Sequence, residues 1–174
     1  MVSWKLNLYH LVVVFIPETR LFWLKRKLLI WCGAKIGKNT KIVSSAKFYF
    51  NGTLTIGDNT WIGHQALFVG GRTNISIGSN CDIAPRVIFS AGTHDIQSPE
   101  NNKKIAGKGL SLPIKIGDGC WVCTGVTILG GAELDDKSLV AAQTLLLGKI
   151  YNSGLYMGVP ANFKGNVFEK IYAR

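Results

Sequence analysis

Aliphatic residues recur in this chain on a beat of six. The phrase IGKNTKI begins at Ile36, IGDNTWI at Ile56, IGSNCDI at Ile77 and IGDGCWV at Ile116. Each reads aliphatic, Gly, two polar or small residues, a small residue, a variable residue, then the next aliphatic. Such a beat fits neither the 3.6-residue period of an amphipathic helix nor the two-residue alternation of a half-buried strand. It is the period of a hexapeptide β-helix, in which each hexapeptide gives one short strand and a corner. A single coil cannot bury its aliphatic row, so coils must stack on their neighbours. The pattern predicts an all-β fold, a parallel β-helix in the form of one elongated prism.

The phrases begin 20, 21 and 39 residues apart. With a coil of about 18 residues, the small excesses are expected as corner bulges, at Leu54-Thr55 and at Asn74-Ile75-Ser76. The large excess is an excursion from the prism. After Ile116 the beat continues unbroken through Val122, Ile128, Leu134, Val140 and Leu146. That makes about five coils, each rising by the ~4.8 Å of hydrogen-bonded strands. Each aliphatic on the grid is worth ~1.5–3 kcal/mol on burial. Gly at the second place suits a corner that needs a permissive backbone. Spacing does not give the hand of the coil, and right-handed crossovers are the default for parallel strands.

The ends break the beat. Residues 1–33 form a leader, residues 34–165 the β-helix domain with its excursion at 95–113, and residues 166–174 a short tail. In the leader, the apolar run from Leu11 to Ile16 stops at Pro17, far short of the ~20 residues that cross a bilayer. It carries no small-residue cleavage site. The expected location is therefore cytoplasmic. From Glu18 to Trp31 the pattern ETRLFWLKRKLLIW predicts one amphipathic helix with Arg20, Lys25 and Lys27 around its apolar side. Two roles stay open for it, which are compatible. It can cap the open end of the prism and protect edge strands, or lie in the plane of the inner membrane face as a peripheral contact.

The net charge of +10 reads as spread along the chain, with one cluster at Lys25-Arg26-Lys27. It fits a solvated basic surface, an anionic ligand or an anionic membrane face. No nucleic-acid-binding motif accompanies it. Cys120 and Cys123 form a C-x-x-C pair, but a lone pair without a second pair or a histidine is a weak zinc signal. Cys81 and Cys120 occupy the fifth place of the phrase, where Thr40 and Thr60 stand elsewhere, so a small side chain packed inward explains them better. No metal site is expected.

Three histidines are present. His10 lies in the leader, and His64 takes an outward corner place in a hexapeptide. His94 closes the coil begun at Ile77, where the excursion DIQSPENNKKIAGKGLSLP departs. With few aliphatics, two prolines and two glycines, the excursion cannot build its own core and must lie over a neighbour. A titratable side chain at the foot of a long loop on a rigid scaffold is a candidate for function, and imidazole suits proton removal near neutral pH. The alternative for His94 is a loop-anchoring hydrogen bond.

The hexapeptide phrases, the SAGTHDI segment, the return through PIKIGDGCWVCTGVTIL and the closing GVPA at Gly158 to Ala161 resemble the left-handed β-helix acyltransferases. Within them the chain is most similar to the galactoside, maltose and exopolysaccharide O-acetyltransferases. GAKIGKNTKI behind a basic leader resembles the branch acting on colanic acid, O-antigen or capsular sugars. The resemblance covers about residues 30–165. It implies a left-handed coil, a homotrimer with sites between adjacent prisms, acetyl-CoA as co-substrate and a carbohydrate acceptor. It also implies His94 as general base. By the same resemblance Trp121 walls the coenzyme groove, though an outward aromatic at a subunit contact would look the same. Thr124 and Ala142 offer backbone groups to the pantetheine arm, with Gly125 and Gln143 beside them. Arg86 falls where sugar-specific relatives carry an acceptor-binding Asn, and with Ser90 it forms the candidate acceptor contact.

The chain departs from the family where relatives often read GAGSVVTK and it reads AAQTLLLG, from Ala141 to Gly148. The Thr-Lys pair near the coenzyme phosphates is absent, leaving Lys149 or Lys164 as its substitute. Cys123 replaces a usual glycine. The alternatives to O-acetylation are N-acylation of an amino sugar on a nucleotide carrier and a non-catalytic β-helix scaffold. A zinc carbonic anhydrase on this fold would need three converging histidines, and His10 and His64 are badly placed to join His94.

Overall fold

The computed structural model describes residues 1–97 and 104–167. Part of the excursion (98–103) and most of the tail (168–174) therefore lie outside the described residues. Among the described residues, three parallel sheets are visited in turn, so that the chain winds as a three-sided β-helix. Face 1 stacks Lys35–Ile36, Thr53–Ile56, Asn74–Ile77, Ile114–Ile116, Glu133–Leu134 and Lys149–Ile150. Face 2 stacks Lys41–Ile42, Trp61–Ile62, Asp82–Ile83, Trp121–Val122, Leu139–Val140 and Leu155–Met157. Face 3 stacks Lys47–Tyr49, Leu67–Val69, Ile88–Ser90, Thr127–Leu129 and Leu145–Leu146. The result is five complete coils and part of a sixth. A last strand, Asn162–Gly165, folds back antiparallel on Leu155–Met157.

The aliphatic grid is the core. Ile36, Ile56, Ile77, Ile116 and Leu134 line the inside of face 1, and Ile42, Ile62, Ile83, Val122 and Val140 that of face 2, all buried. On face 3 the column begins with aromatic rings. Phe68 stacks on Phe48 at 4.8 Å and on Phe89 at 4.4 Å between centroids, and Ile128 and Leu146 continue the column.

Two details of the beat differ from expectation. The extra residues at Leu54-Thr55 and Asn74–Ser76 are not corner bulges. They lengthen the strands of face 1, where Leu54 pairs in register with Ile75 and Ile75 with Ile114. All three point inward and are buried, because an insertion of two residues preserves the alternation of a strand. The glycine at the second place is also not there for its dihedral. The left-handed φ belongs to the fourth place, at Asn39, Asn59, Asn80, Gly119 and Lys137. Gly57 is needed because a Cβ there would lie 2.5 Å from the backbone nitrogen of Ser79 in the next coil.

Corners are tied coil to coil. Inward fifth-place side chains donate to the carbonyl of the following coil: Thr40 to Gly57 (2.6 Å), Thr60 to Gly78 (2.8 Å), Cys81 to Gly117 (3.1 Å) and Cys120 to Asp135 (3.2 Å). Cys81 and Cys120 are thus small corner donors, and Cys32, Cys81, Cys120 and Cys123 are all free thiols. Outside, Asp58, Asp118 and Asp136 each accept the backbone N–H of the third-place residue one coil before.

The leader holds two helices rather than the single one expected from Glu18. They are α1 at Ser3–Val13 and α2 at Phe22–Trp31. Glu18 to Leu21 is a turn, with Leu21 in the left-handed region ahead of α2. Leu6, Tyr9, Val13, Leu29 and Cys32 join the core cluster at the first coil. Polar groups of the leader meet that coil's outward backbone. Arg26 donates to the carbonyls of Gly37 (2.6 Å) and Ile36 (3.0 Å), and His10 Nε2 lies 3.2 Å from the Phe48 carbonyl. Lys25, fully buried, donates to the Glu18 carbonyl at 2.6 Å and to Ser44 Oγ at 3.2 Å. No helix among the described residues is long and apolar enough to cross a membrane.

Candidate active site

The excursion is built as an arm. Gly92–Ile96 pairs antiparallel with Ala106–Ser111, with Thr93 opposite Leu110 and His94 opposite Gly109. It departs at Gly92, before the expected Asp95, and its stem is fixed to the prism. Leu112 N–H donates to the Ala91 carbonyl (2.9 Å), and Gly71 N–H donates to Ser111 Oγ (3.0 Å). Every residue from Gly92 to Ile96, His94 included, is exposed. Sequence reasoning read this segment only as an excursion lying over a neighbour, because it has few aliphatics and no core of its own. The arm's stability comes from cross-strand pairing instead.

The prism has three edges, and the site residues expected from sequence divide between them. His94 leaves from the edge between faces 3 and 1, and Ser90 ends the face 3 strand at the same edge. Thr124 and Gly125 lie one coil below Ala142 and Gln143 on the edge between faces 2 and 3, where the Gln143 N–H donates to the Thr124 carbonyl at 3.0 Å. One lone pair of Thr124 is thereby used within the prism. Gly125 and Gln143 both hold positive φ, as does Arg86 directly beneath them. The Gly125 N–H donates to the Pro85 carbonyl (3.1 Å), and the Arg86 N–H donates to the His64 carbonyl (2.8 Å). Arg86 is exposed on this edge. It stands with the coenzyme candidates rather than with Ser90, to which sequence reasoning had joined it as an acceptor contact.

Trp121 lies on face 2, half exposed at 50%. It lines a groove of about 440 Å³ with Lys137, Leu139, Gly154 and Val167. Lys164 belongs to the strand that folds back beside Leu155–Met157 on this same face. Lys149 stands elsewhere, on face 1, where its Nζ lies 3.0 Å from Glu133 Oε1. That carboxylate pushes the lysine pKa up and engages its charge within the prism. One chain alone therefore does not bring His94 to Trp121, Thr124 and Gln143.

One residue went unnoticed in the sequence. The sixth place of the phrase points outward on face 2 and reads Lys41, Trp61, Asp82, Trp121 and Leu139 in register. Asp82 sits between the two tryptophans, and desolvation raises its pKa. Reading the variable place as a column would have found it. Burial, with Asp82 nearby, likewise raises the Cys123 thiol. His64 is half exposed and faces Glu18 at 3.5 Å. His10, His64 and His94 thus occupy the leader, one edge and the arm, and among the described residues no group of His, Cys, Asp or Glu is placed to hold a metal ion.

No family model matches the sequence. A protein of Escherichia coli K12 named as a colanic acid biosynthesis acetyltransferase, WcaF, is 32% identical over 131 residues, which are 75% of this chain and 63% of the relative. The galactoside O-acetyltransferase of the same organism is 28% identical over 127 residues, 73% of this chain and 61% of the relative. Among solved structures, a hexapeptide-repeat acetyltransferase of Vibrio cholerae complexed with acetyl-CoA matches with a TM-score of 0.72 at 19% identity, covering 94% of this chain and 85% of that chain. This chain is thus similar in sequence to these two acetyltransferases and shares the fold of the hexapeptide-repeat acetyltransferase. It spans less than two thirds of the length of the two curated relatives. Where its sequence departs from the pattern expected of such enzymes, Leu147 and Gly148 are exposed and Cys123 is half-buried, all three outside the buried grid.

Proposed function

We propose that this chain is an acetyl-CoA-dependent O-acetyltransferase acting on a sugar hydroxyl in the synthesis of a cell-surface polysaccharide or lipopolysaccharide. It works as a homotrimer of left-handed β-helices, in the cytoplasm where acetyl-CoA is available. The observation that carries the reading is the split of the candidate residues over two edges of one prism. A heterologous contact between copies, closing as a ring, sets the arm of one prism against face 2 and the 2–3 edge of the next. His94 then faces Trp121, Thr124 and Gln143 of its neighbour. The same contact covers Ile96, Ile105, Leu110 and Leu112, which one chain leaves exposed on and beside the arm.

At such a site His94 accepts the proton of the acceptor hydroxyl as its oxygen attacks the thioester carbonyl carbon. Backbone N–H groups stabilise the tetrahedral oxyanion. Collapse breaks the carbon–sulfur bond, and the imidazolium returns its proton to the departing thiolate. The thioester is already activated, so the protein's work is proton removal, placement and charge stabilisation. Thr124 and Ala142 present corner backbone to the pantetheine arm, and Lys164 is the better placed of the two lysines for the coenzyme phosphates. Lys149 is held by Glu133.

The test is thiol release from acetyl-CoA by the purified protein against a panel of nucleotide sugars and oligosaccharide repeat units, with hydroxyl and amine acceptors run side by side. The reading expects turnover with a hydroxyl acceptor. Turnover with amines alone would replace it by N-acylation. No acetyl-CoA binding at all would leave a scaffold.

A further inference from the structure

The two leader helices carry an exposed apolar surface that neither the core nor the proposed site uses. On α1, Leu6, Tyr9 and Val13 are buried, while Trp4, Leu8 and Leu11 are exposed. At 100° per residue those three exposed residues fall within about 60° of one another, opposite the buried set. Phe15, just beyond the helix, is 82% exposed. On α2, Lys25 and Leu29 turn inward, and Trp23, Lys27, Ile30 and Trp31 form the exposed stripe. Trp4 meets Trp31 edge-on at 5.5 Å and joins the two stripes. Cations ride on the aromatic rings, with Lys5 Nζ 4.6 Å from the Trp31 centroid and Lys27 Nζ 5.3 Å from that of Trp23. A helix packed on a core normally turns a polar face to water, whereas the exposed faces of these two are rich in large apolar side chains.

The charge lies at the same end. Residues 1–47 hold nine Lys or Arg against one acidic residue, Glu18, whereas the remaining chain holds eleven against nine. The positive charge is therefore concentrated in the leader and first coil, not spread as its first reading had it. We infer that this end of the prism docks on an anionic lipid bilayer, with α1 and α2 in the headgroup layer. Aromatic and aliphatic side chains flanked by lysines match that interface, and anionic headgroups complement the basic end. A second copy docked end to end fits less well, because it would set two strongly positive faces against each other. In a ring of parallel prisms, three such faces stand at one end and act together. The inference does not depend on the reaction catalysed.

Vesicle flotation of the full chain tests it, comparing pure phosphatidylcholine with about 30% phosphatidylglycerol in phosphatidylcholine. The expected result is at least about tenfold more protein on the anionic vesicles, a loss of binding at about 0.5 M salt, and a blue shift of tryptophan emission on binding. Trp4→Ser/Leu11→Ser/Phe15→Ser should abolish flotation with far-ultraviolet circular dichroism and oligomeric mass unchanged. Lys5→Glu/Lys27→Glu, which leaves the apolar stripes in place, should abolish the preference for anionic lipid. Equal or absent flotation of the wild-type chain on both vesicles overturns the proposal, as does full binding by the triple variant. A fall in oligomeric mass in the triple variant, with no lipid binding by the wild type, would assign the face to a second copy instead.

Discussion

Residue for residue, the third face of the prism and the arm that leaves its edge are opposites. Phe48, Phe68, Phe89, Ile128 and Leu146 turn inward one above another and are buried. Gly92 to Ile96, starting two residues after that face's third strand, is exposed throughout. The column is held by burial and ring stacking and tolerates no gap, since interiors are packed like crystals. The arm is held by strand pairing and by hydrogen bonds from its stem to the prism, and it leaves a histidine exposed. Where the six-residue beat runs, the chain fixes positions; where it stops, it leaves a histidine exposed. The same contrast recurs at the other end, where the leader breaks the beat and leaves apolar side chains outside.

Substitutions that act on one side of this contrast and not the other sharpen it. The largest effect is expected on the arm, in rate alone. His94→Ala should lower acetyl transfer about 10²–10⁴-fold, the worth of a positioned proton acceptor, with the unfolding midpoint unmoved. His64→Ala, on a corner of the prism, should stay within a few-fold of wild type, read by steady-state turnover under the same conditions. Next comes Phe68→Ala, which removes the middle ring of the stack. It should cost about 3–5 kcal/mol of stability, measured by denaturant unfolding. Smaller still is Gly57→Ala. Its Cβ would meet Ser79 N at 2.5 Å, and the two coils must part at a cost of about 1–3 kcal/mol. If Gly57→Ala were neutral while Asn59→Ala, at φ +54°, were severe, dihedral freedom rather than coil spacing would set the corner.

Much of this was legible in the sequence because a β-helix repeats its environment. Ile116, Val122, Ile128, Leu134, Val140 and Leu146 are spaced by six and are all buried. Thr40, Thr60, Cys81 and Cys120 share a place, and they share a hydrogen bond to the next coil. What the beat could not convey is what it does not repeat. The strand extensions at Leu54 and Ile75 were hidden because an insertion of two keeps the alternation yet shifts the count. Helix α1 was missed because SWKLNLYHLVV is apolar on nearly every side, so it shows little helical periodicity. The arm lacks the inward row that marks a strand in the prism. For the candidate site, the residue types were readable one by one. Their division between edges was not, because it depends on which corner of the coil each residue occupies.

The central claim is that His94 of one chain serves the groove of the next, and mixing two crippled chains tests it most directly. His94→Ala removes the proton acceptor, and Ala142→Trp blocks the groove from an exposed corner outside the core. Each variant alone should be inactive. Co-assembled in equal amounts into threefold rings, they should recover activity at about one site in four, since a site is intact where a His94-bearing chain meets an unblocked groove. Recovery at that level, lost when the two are mixed without subunit exchange, is the predicted result. Co-assembly into mixed trimers with no recovery would mean that histidine and groove belong to the same chain, and the account of a shared site would be wrong.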